Sequence, residues 1–400
     1  MPGVRHKRSD AGCLLESRRK GGGHKHRMSR KRYIVLILAA LPVVLAVALL
    51  AALAVVVHGG STTFPLIDPG PYAPSGKLQI VTVQMHWDLE DFADEEAFKS
   101  RIEGLIEEGM KRVDPRVPVL FVFPELLGAP LYLLGDYESV KDSTTFAEAM
   151  EGVVKHTPVG VLYYMARFGV GPARALCLAK GKTAGRVYIE TFSEAAWRHH
   201  AYICAGSIPL PDFPLTGLRI DYDVHGPEVY NVSYFFGPDG HILGRQKKVH
   251  LTELEESHGL DLTPGAVEDL TVVHLPNARA GVAVCWDAFH EDVVEHLITQ
   301  GADMLLQPSA NPGKWTENQQ EDWLNGSWKC VQKHPEFRCA VNPMMTGNLF
   351  DLVFEGQSAV VVQKDAGDPD LAYSAVPDTH GFLALAATPN GEEVLVTVIE

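Results

Sequence analysis

The stretch Gly281-Val-Ala-Val-Cys285-Trp286-Asp287 joins an apolar run to a cysteine and then at once to polar residues. Residues 279–284 have the character of a buried strand, and a helical pattern of apolar residues resumes after Glu291. A cysteine at such a junction exposes its sulfur where backbone N–H groups point outward, which favours a thiolate and a developing oxyanion. A buried core cysteine is the alternative, because free Cys behaves as a small hydrophobe. Cys285 is therefore a candidate nucleophile, and the other motifs of the chain decide between this interpretation and a buried core cysteine.

Charge divides the chain into two unequal parts. Residues 1–32 hold eleven Lys and Arg against two acidic residues, a net +9, whereas the remainder holds 24 against 48, a net −24, which together give −15. An acidic body argues against nucleic acid as the partner of the folded part. The sequence also shows no zinc-ligand spacing and no phosphate-binding loop, so neither a metal nor a cofactor is expected.

An uncharged apolar segment follows the basic tail. Residues 33–57 are 25 residues without a charge, and at about 1.5 Å per residue such a helix spans a hydrocarbon layer of ~30 Å. The basic cluster on one side predicts that residues 1–32 are cytoplasmic and that the C-terminal part faces outward. A cleaved signal peptide is the rival interpretation, but its apolar region is normally about 7–15 residues. We therefore expect a single-pass membrane anchor with an extracytoplasmic catalytic domain.

Residues 58–76 are rich in Gly and Pro and are typical of a linker, so the folded domain is expected over residues 77–400. Within it, strand-like runs alternate with amphipathic helical patterns, which predicts a layered α/β domain. The continuous apolar run 117–123 is typical of a strand buried on both faces, and Pro124-Glu125 follow it. A Pro-Asp-Gly turn within residues 229–245 predicts a hairpin. The predicted helices include residues 94–112, 146–154, 187–200 and 317–334.

Several motifs, taken in order, resemble those of the nitrilase, or carbon–nitrogen hydrolase, superfamily. An opening strand, a strand with a glutamate, a hairpin that leads to a lysine and a strand with a cysteine follow one another with suitable gaps, and two closing strands complete the set. The resemblance covers residues 77–400. The motifs are LQIVTVQM, FVFPELLG, VYNVSYFFGPDGHILGRQKKVHL, GVAVCWD, GADMLLQPSAN, FRCAVN and FEGQSAVVV.

The resemblance implies an αββα four-layer sandwich and a Glu-Lys-Cys catalytic set that falls on Glu125, Lys248 and Cys285. Attack on a carbonyl or nitrile carbon needs a thiolate and hence a nearby base. Glu125 leaves a buried strand, where desolvation raises the pKa of a carboxylate toward the range of a general base. Lys248 would supply positive charge to the tetrahedral oxyanion, with help from the backbone N–H near Trp286.

Two assignments in this set have close competitors. Lys247 precedes Lys248, and we choose Lys248 because the family's lysine comes directly before a hydrophobic residue and His-Leu. Strand alternation would point Lys247 the other way. A second glutamate often supports the site in this family, and Glu253, Glu255 and Glu256 are all candidates. The segment that begins at Glu256 best matches the usual segment before a Pro-Gly pair, so Glu256 is the expected fourth residue.

Departures from the family leave the subfamily open. Many amidase members follow the cysteine with x-Asp-x-Arg-Phe-Pro-Glu, whereas no arginine follows Trp286-Asp287 here. Nitrile-acting members also have Cys-Trp, but they usually carry Glu where this chain has Asp287. The stretch between Glu125 and Gly206 is longer than usual. Its apolar and basic part, residues 163–181, is interpreted as a lid, a dimer contact, a membrane-facing patch or an ordinary surface helix.

The sequence thus predicts a membrane-anchored hydrolase that breaks a non-peptide carbon–nitrogen bond through a thioester on Cys285. Its substrate would be a small-molecule amide, nitrile, ureide or other acyl compound. An N-acyltransferase that passes the acyl group to an amine is the alternative, although the acyltransferase branch carries several membrane spans and this chain shows one. A catalytically idle binding module on the same fold is the third interpretation. Family members commonly pair as dimers, so a homodimer or higher homo-oligomer is expected.

Overall fold

The computed structural model of the chain describes residues 76–216, 219–256 and 259–400. The basic tail, the apolar segment 33–57 and nearly all of the linker lie outside these residues, so the membrane anchor stays a prediction. Across the described ranges, no helix combines the length and the apolar character that crossing a membrane requires.

The described strands and helices alternate along much of the chain, as the sequence pattern predicts. The strands are β1 (Leu78–Gln84), β2 (His86–Trp87), β3 (Val119–Val122), β4 (Tyr202–Cys204), β5 (Ile208–Pro211), β6 (Leu215–Thr216), β7 (Arg219–Ile220), β8 (Val229–Phe236), β9 (Ile242–Lys247), β10 (Val272–His274), β11 (Arg279–Val282), β12 (Met304–Leu306), β13 (Ser309–Ala310), β14 (Cys339–Asn342), β15 (Met344–Leu349), β16 (Leu352–Phe354), β17 (Ala359–Val361), β18 (Phe382–Leu385) and β19 (Glu393–Ile399). The helices are α1 (Glu95–Met110), α2 (Tyr137–Val140), α3 (Phe146–His156), α4 (Pro158–Phe168), α5 (Pro172–His199), α6 (Glu291–Thr299), α7 (Glu317–Trp323) and α8 (Ser327–Lys333).

Two sheets contain most of these strands. The first has the order β19-β1-β3-β4-β8-β5, with β9 paired to β8, and the second has the order β10-β11-β12-β14-β17-β18. In the first sheet β1, β3 and β4 are parallel neighbours, whereas β19 and β8 run antiparallel to theirs. A smaller sheet has the order β13-β15-β16, and β2 pairs with β15. The glutamate motif follows β3 and the lysine motif follows β9, both in the first sheet, whereas the cysteine motif follows β11 in the second sheet.

Side chains alternate across the two main sheets, as they must in a pleated strand. Leu78 and Ile80 of β1 belong to one core with the second sheet, whereas Val81 and Val83 belong to another core with α1 and α5. On the second sheet, Gly281 lies against Leu297 of α6. The layers therefore run helices, sheet, sheet, helices. The expected mixed α/β, nitrilase-like architecture is confirmed for the described domain.

Two helix predictions have the wrong extent, for physical reasons. The pattern at residues 187–200 is the end of the 28-residue helix α5. Its N-terminal half lacks a clear polar face because buried residues surround it, and glycines such as Gly181 approach neighbouring side chains closely. The helix predicted over residues 317–334 is instead two helices, α7 and α8. Gly326 separates them where a Cβ would lie 2.9 Å from the side chains of Gln307 and Phe289. The hairpin β8–β9 is confirmed.

The close approach at Gly206 gives a test of the fold. Gly206 has φ +69°, and a Cβ there would lie 2.0 Å from the carbonyl oxygen of Pro124, next to Glu125. We expect Gly206→Ala to lower the free energy of unfolding by about 1–3 kcal/mol or more, because it adds both backbone strain and a clash. Gly104 of α1 has no atom within 4 Å of its Cβ position. Gly104→Ala should therefore raise stability by up to about 1 kcal/mol. Urea denaturation of both variants checks this, and equal effects would contradict it.

Candidate active site

Cys285 occupies a strained position just after β11. It begins a 3-10 turn, Cys285–Phe289, and has φ 49°. A non-glycine residue in this left-handed region costs about 1–3 kcal/mol, so the surroundings must hold it there. The Cys285 amide donates to the Pro308 carbonyl at 2.8 Å, and the Cys285 carbonyl accepts from Gln307 Nε2 at 3.0 Å. The side chain is 5% exposed. The turn therefore fixes the direction of the sulfur at the end of a buried strand.

Glu125 follows β3 and lies against the thiol. One carboxylate oxygen, Oε1, accepts from Lys248 Nζ at 2.7 Å and from Asn231 Nδ2 at 2.9 Å. The other, Oε2, accepts from the backbone N–H of Ala310 at 3.1 Å. The Cys285 thiol lies close enough to this carboxylate to lower its pKa, and the carboxylate charge in turn raises the pKa of the thiol. The structure thus brings together Glu125, Lys248 and Cys285, the three residues carried over from the family's motifs.

Lys248 is a fully enclosed ammonium between two carboxylates. Its Nζ donates to Glu125 and, at 2.6 Å, to Oε2 of Glu255. Glu255 is further held by the backbone N–H and hydroxyl of Thr252, at 3.0 and 2.9 Å. Asn231 Nδ2 donates to Oε1 of Glu255 at 2.7 Å, so this amide bridges the two glutamates. In the described part of the chain, two of the three Lys248 N–H groups are thus used, which leaves one donor for another acceptor.

The fourth predicted residue, Glu256, is not in this cluster, and the adjacent Glu255 takes its place. The amides of both residues lie close to the Thr252 carbonyl, at 2.9 and 3.2 Å, so the segment is a tight turn. Consecutive side chains in a turn point in different directions: Glu255 is buried, whereas Glu256 is exposed.

The choice of Lys248 over Lys247 agrees with the geometry of the cluster. Lys247 points away, pairs with Asp212 at 2.9 Å and lies 3.8 Å from the ring centroid of Tyr230.

The surroundings shift the pKa values of the ionisable groups in the cluster in different directions. Burial raises the pKa of Glu125 to about 7, although the charge of Lys248 opposes the shift. Burial alone would lower the pKa of Lys248, but the charges of Glu125 and Glu255 outweigh it and raise that pKa well above its usual value. Burial would likewise raise the pKa of Glu255, but Lys248 holds it below its usual value. Burial and the charge of Glu125 raise the pKa of the Cys285 thiol. The resting site is therefore a thiol beside a titratable carboxyl group.

Trp286 turns its side chain to the surface. The indole is 42% exposed and stacks on Phe289, with the ring centroids 4.8 Å apart. Its backbone N–H takes no part in the backbone hydrogen bonds that close the described turn, which use the amides of Cys285, Asp287 and His290. The N–H thus keeps a free donor beside the nucleophile. The assignment of Trp286 to the oxyanion site stays a prediction.

Asp287 ties the lysine segment to the nucleophile turn. Its buried carboxylate accepts from the amide of Val249 at 3.1 Å and from the amide of His250 at 2.7 Å. Burial raises the pKa of Asp287 to about 6, and these two N–H groups oppose the shift. The backbone on either side of the cluster is thereby joined by a carboxylate, so Lys248 and Cys285 keep a fixed separation.

Sequence reasoning missed Asn231 and Asp287 as parts of the site. Asn231 was visible as one polar residue inside the apolar strand VYNVSYFF, and burial of a polar amide implies hydrogen-bond partners. Asp287 stands in the quoted GVAVCWD motif, but its partners are backbone amides far along the chain. Nothing in the local pattern identifies such partners.

One group of side chains near the cluster has metal-ligand chemistry. Ligand atoms of His250, His290 and Asp292 lie within 4.8 Å of one another. However, the two imidazole rings stack nearly parallel, 3.7 Å apart, so their nitrogen lone pairs run side by side and do not converge. His250 Nε2 is already 3.0 Å from the Asp292 carboxylate. This arrangement fits a hydrogen bond between the imidazole and the carboxylate better than a metal site.

These features place a buried cysteine, glutamate and lysine together between the layers of a mixed α/β fold, and comparison with known proteins identifies this fold as nitrilase-like. The family model described as carbon–nitrogen hydrolase matches residues 80–360. The chain belongs to this family.

Individual relatives are more distant. The chain is 26% identical over 137 residues to omega-amidase NIT2 of Danio rerio and 25% identical over 138 residues to nitrilase homolog 2 of Dictyostelium discoideum. Each match covers 32% of this chain, and the two cover 44% and 38% of those proteins. The chain thus matches less than half of the length of these curated relatives.

Solved structures share the fold over a longer range. A carbon–nitrogen hydrolase from Helicobacter pylori G27 has a TM-score of 0.53 at 17% identity and aligns over 82% of this chain and 90% of its own. The amidase from Nesterenkonia sp. AN1, solved as a double mutant in complex with acrylamide, has a TM-score of 0.52 at 14% identity, over 83% and 94% of the two chains. At such low identity, these likenesses show the fold alone.

The correction from Glu256 to Glu255 can be tested by stability. Glu255→Gln removes one of two counter-charges from a buried ammonium, so we expect the free energy of unfolding to fall by about 3 kcal/mol. Glu256→Gln changes an exposed side chain one residue away and should stay within about 0.5 kcal/mol of wild type. Urea denaturation at neutral pH measures both. A larger loss for the Glu256 variant would show that the cluster is held by the other glutamate.

Proposed function

We propose that the chain hydrolyses a non-peptide carbon–nitrogen bond of the amide type through a thioester on Cys285. One observation supports this most directly: Glu125 accepts a hydrogen bond from the ammonium of Lys248 and lies close enough to the Cys285 thiol for each of the two groups to shift the pKa of the other. Membership of the carbon–nitrogen hydrolase family and the amidases among its relatives agree with it.

The first step in this proposal is attack with proton transfer. Because the thiol is protonated at rest, it needs a base at the moment of attack, and Glu125, with a pKa of about 7, is ionised in a large fraction of molecules near neutrality. As the sulfur bonds to the carbonyl carbon, the thiol proton moves to Glu125 and the carbonyl π electrons move to oxygen. The product is a tetrahedral intermediate with an oxyanion beside a neutral Glu125.

Lys248 and the Trp286 amide are the proposed donors to this oxyanion. Lys248 remains charged because its two carboxylates hold it protonated, and its third N–H is not taken by them. A fixed donor in a site shielded from water stabilises developing charge strongly, since little reorganisation is needed. When the intermediate collapses, the carbon–nitrogen bond breaks and the leaving nitrogen takes the proton from Glu125.

Hydrolysis of the thioester repeats the same steps with water. Glu125, again ionised, accepts a proton from the water whose oxygen attacks the thioester carbon. The carbon–sulfur bond then breaks, the carboxylic acid leaves and the sulfur recovers its proton. Glu255 takes no proton in this scheme. Its ionised carboxylate pairs with Lys248, and its negative charge adds to the burial that keeps Glu125 basic.

The thioester is directly observable. We expect intact-mass spectrometry of the full chain, after brief exposure to a panel of amides, nitriles, ureides and acyl lipids, to show an acyl adduct with at least one class. The adduct should be absent from Cys285→Ala, whose turnover should fall by at least about a thousandfold. Cys330 is a comparably buried thiol that donates to the Ala288 carbonyl, so Cys330→Ala should keep the adduct. An adduct on the Cys285 variant would refute the mechanism.

The pH dependence of kcat/KM follows from Glu125. Only its ionised form can accept the thiol proton, and its pKa is raised to about 7. The ratio kcat/KM should therefore rise with pH through about 7 and fall about tenfold per pH unit well below it. Glu125→Gln should lose most of its turnover, and any residual kcat/KM should no longer rise with pH through about 7. Initial rates between about pH 5 and pH 9 measure it, and a rate that stays constant down to about pH 5 would rule out Glu125 as the base.

A further inference from the structure

A cavity of about 520 Å³ lies among elements that belong largely to the long stretch after Glu125. Its walls come from the 3-10 turn Ala129–Leu133, from α3, from the first turns of α5 and from the loop after Glu255. The volume falls within the range of small-molecule sites, about 300–1,000 Å³. The larger lining side chains are Tyr132, Phe146, Met150, Leu176, Leu254 and Phe350.

The polar groups of this cavity are already satisfied. The Tyr132 hydroxyl donates to the Pro209 carbonyl at 2.7 Å. Glu151 is exposed at the rim and pairs with Lys155 at 2.8 Å. The remaining lining is almost entirely apolar. A polar ligand would therefore form few hydrogen bonds in this cavity. An apolar group could be buried there without leaving a polar atom of the lining unsatisfied.

Three lining residues of the cavity lie next to residues of the Glu125–Lys248 cluster, either along the chain or across a pair of strands. Leu254 precedes Glu255, whose carboxylate binds Lys248. Pro209 is the register partner of Asn231, whose amide bridges the two glutamates. The cavity and the cluster therefore share their supporting backbone.

The third of these residues comes from the small sheet. Leu349 ends β15, and in the same strand Met345 pairs with Ala310, whose N–H binds the Glu125 carboxylate. Several of the segments that line the cavity thus also support the cluster.

We propose that this cavity receives the apolar acyl arm of the substrate, so that the chain acts on amides of aliphatic acids. This inference rests on the proposed function, since the acyl arm is the part that Cys285 would retain as a thioester. At about 30 Å³ for each water-sized group, a cavity of about 520 Å³ holds up to about 17 such groups, which is more than a ten-carbon chain needs. The acyl carbon would lie at Cys285 and the chain would extend past Leu254 toward Phe350.

A series of linear primary amides from acetamide to decanamide tests the cavity with the full chain. We expect kcat/KM to rise about fourfold per added methylene until the cavity is filled. Ala173 lines the cavity in the first turn of α5 and is half-buried. In Ala173→Trp, the octanamide-to-acetamide ratio of kcat/KM should fall at least tenfold, and Ala129→Trp, from the opposite wall, should do the same.

The matched control is Ala166→Trp, an exposed position on α4 that does not line the cavity. It should keep the wild-type ratio, and thermal melting should show that all three variants are folded. A flat chain-length profile in the wild type, or equal loss of the ratio in Ala166→Trp, would overturn the inference.

Binding measured without turnover separates this inference from the proposed function. Titration of Cys285→Ala with octanamide should show heat of binding that Cys285→Ala/Ala173→Trp lacks. If octanamide binds there but no acyl adduct ever forms on wild-type Cys285, the cavity inference stands and the thioester mechanism fails. If short amides acylate Cys285 and octanamide does not bind, the mechanism stands and the cavity inference fails.

Discussion

The site depends on one buried ammonium held between two buried carboxylates. Moving Lys248 out of water costs several kcal/mol unless opposite charges and hydrogen bonds compensate for it. Glu125 and Glu255 supply the charges. Asn231 donates to Oε1 of each glutamate, and the Ala310 N–H donates to Oε2 of Glu125, which the lysine leaves. Glu125 follows β3, Asn231 lies within β8, and Lys248 and Glu255 both follow β9. The interaction therefore fixes these three parts of the chain relative to one another, and it would be lost if any one of them moved.

The same interaction explains how two chemically identical carboxylates acquire different roles. Glu255 also accepts from the backbone N–H and hydroxyl of Thr252, and these donors favour its charged form. It is therefore the permanent partner of Lys248. Burial raises the pKa of Glu125 to about 7, and the negative charge of Glu255 adds to this shift. Glu125 also accepts from fewer backbone and hydroxyl donors than Glu255 does. A pair of groups whose surroundings push their proton affinities apart is the arrangement that acid–base chemistry at neutral pH requires.

The sequence predicted what local patterns control. An apolar run that ends in Cys285 and another that ends just before Glu125 are strand signals. The resemblance to the family's lysine motif distinguished Lys248 from Lys247, and strand alternation agreed with that choice. The choice of Glu256 over Glu255 failed because residues 252–256 form a turn, where no period of two or 3.6 residues tells which side chain points inward. The N-terminal half of α5 was also missed, because a helix that is packed on most of its surface loses the polar face that the pattern needs. Asn231 and Asp287 depend on partners more than twenty residues away, which a single sequence does not display.

The two proposals assign the chemistry and the choice of substrate to different parts of this chain. The catalytic cluster uses short segments that follow strands of the main sheets, and these are the segments whose motifs resemble the family. The apolar cavity is built mainly from residues 129–177, which belong to the stretch that is longer than usual in the family. Leu254 and Pro209 line the cavity beside residues of the cluster, whereas most of the other walls come from the helices α3 and α5 and from the turn after Glu125, which take no part in the cluster. If both proposals hold, a difference in the helices after Glu125 would therefore change which acyl group is accepted without changing how the carbon–nitrogen bond is broken.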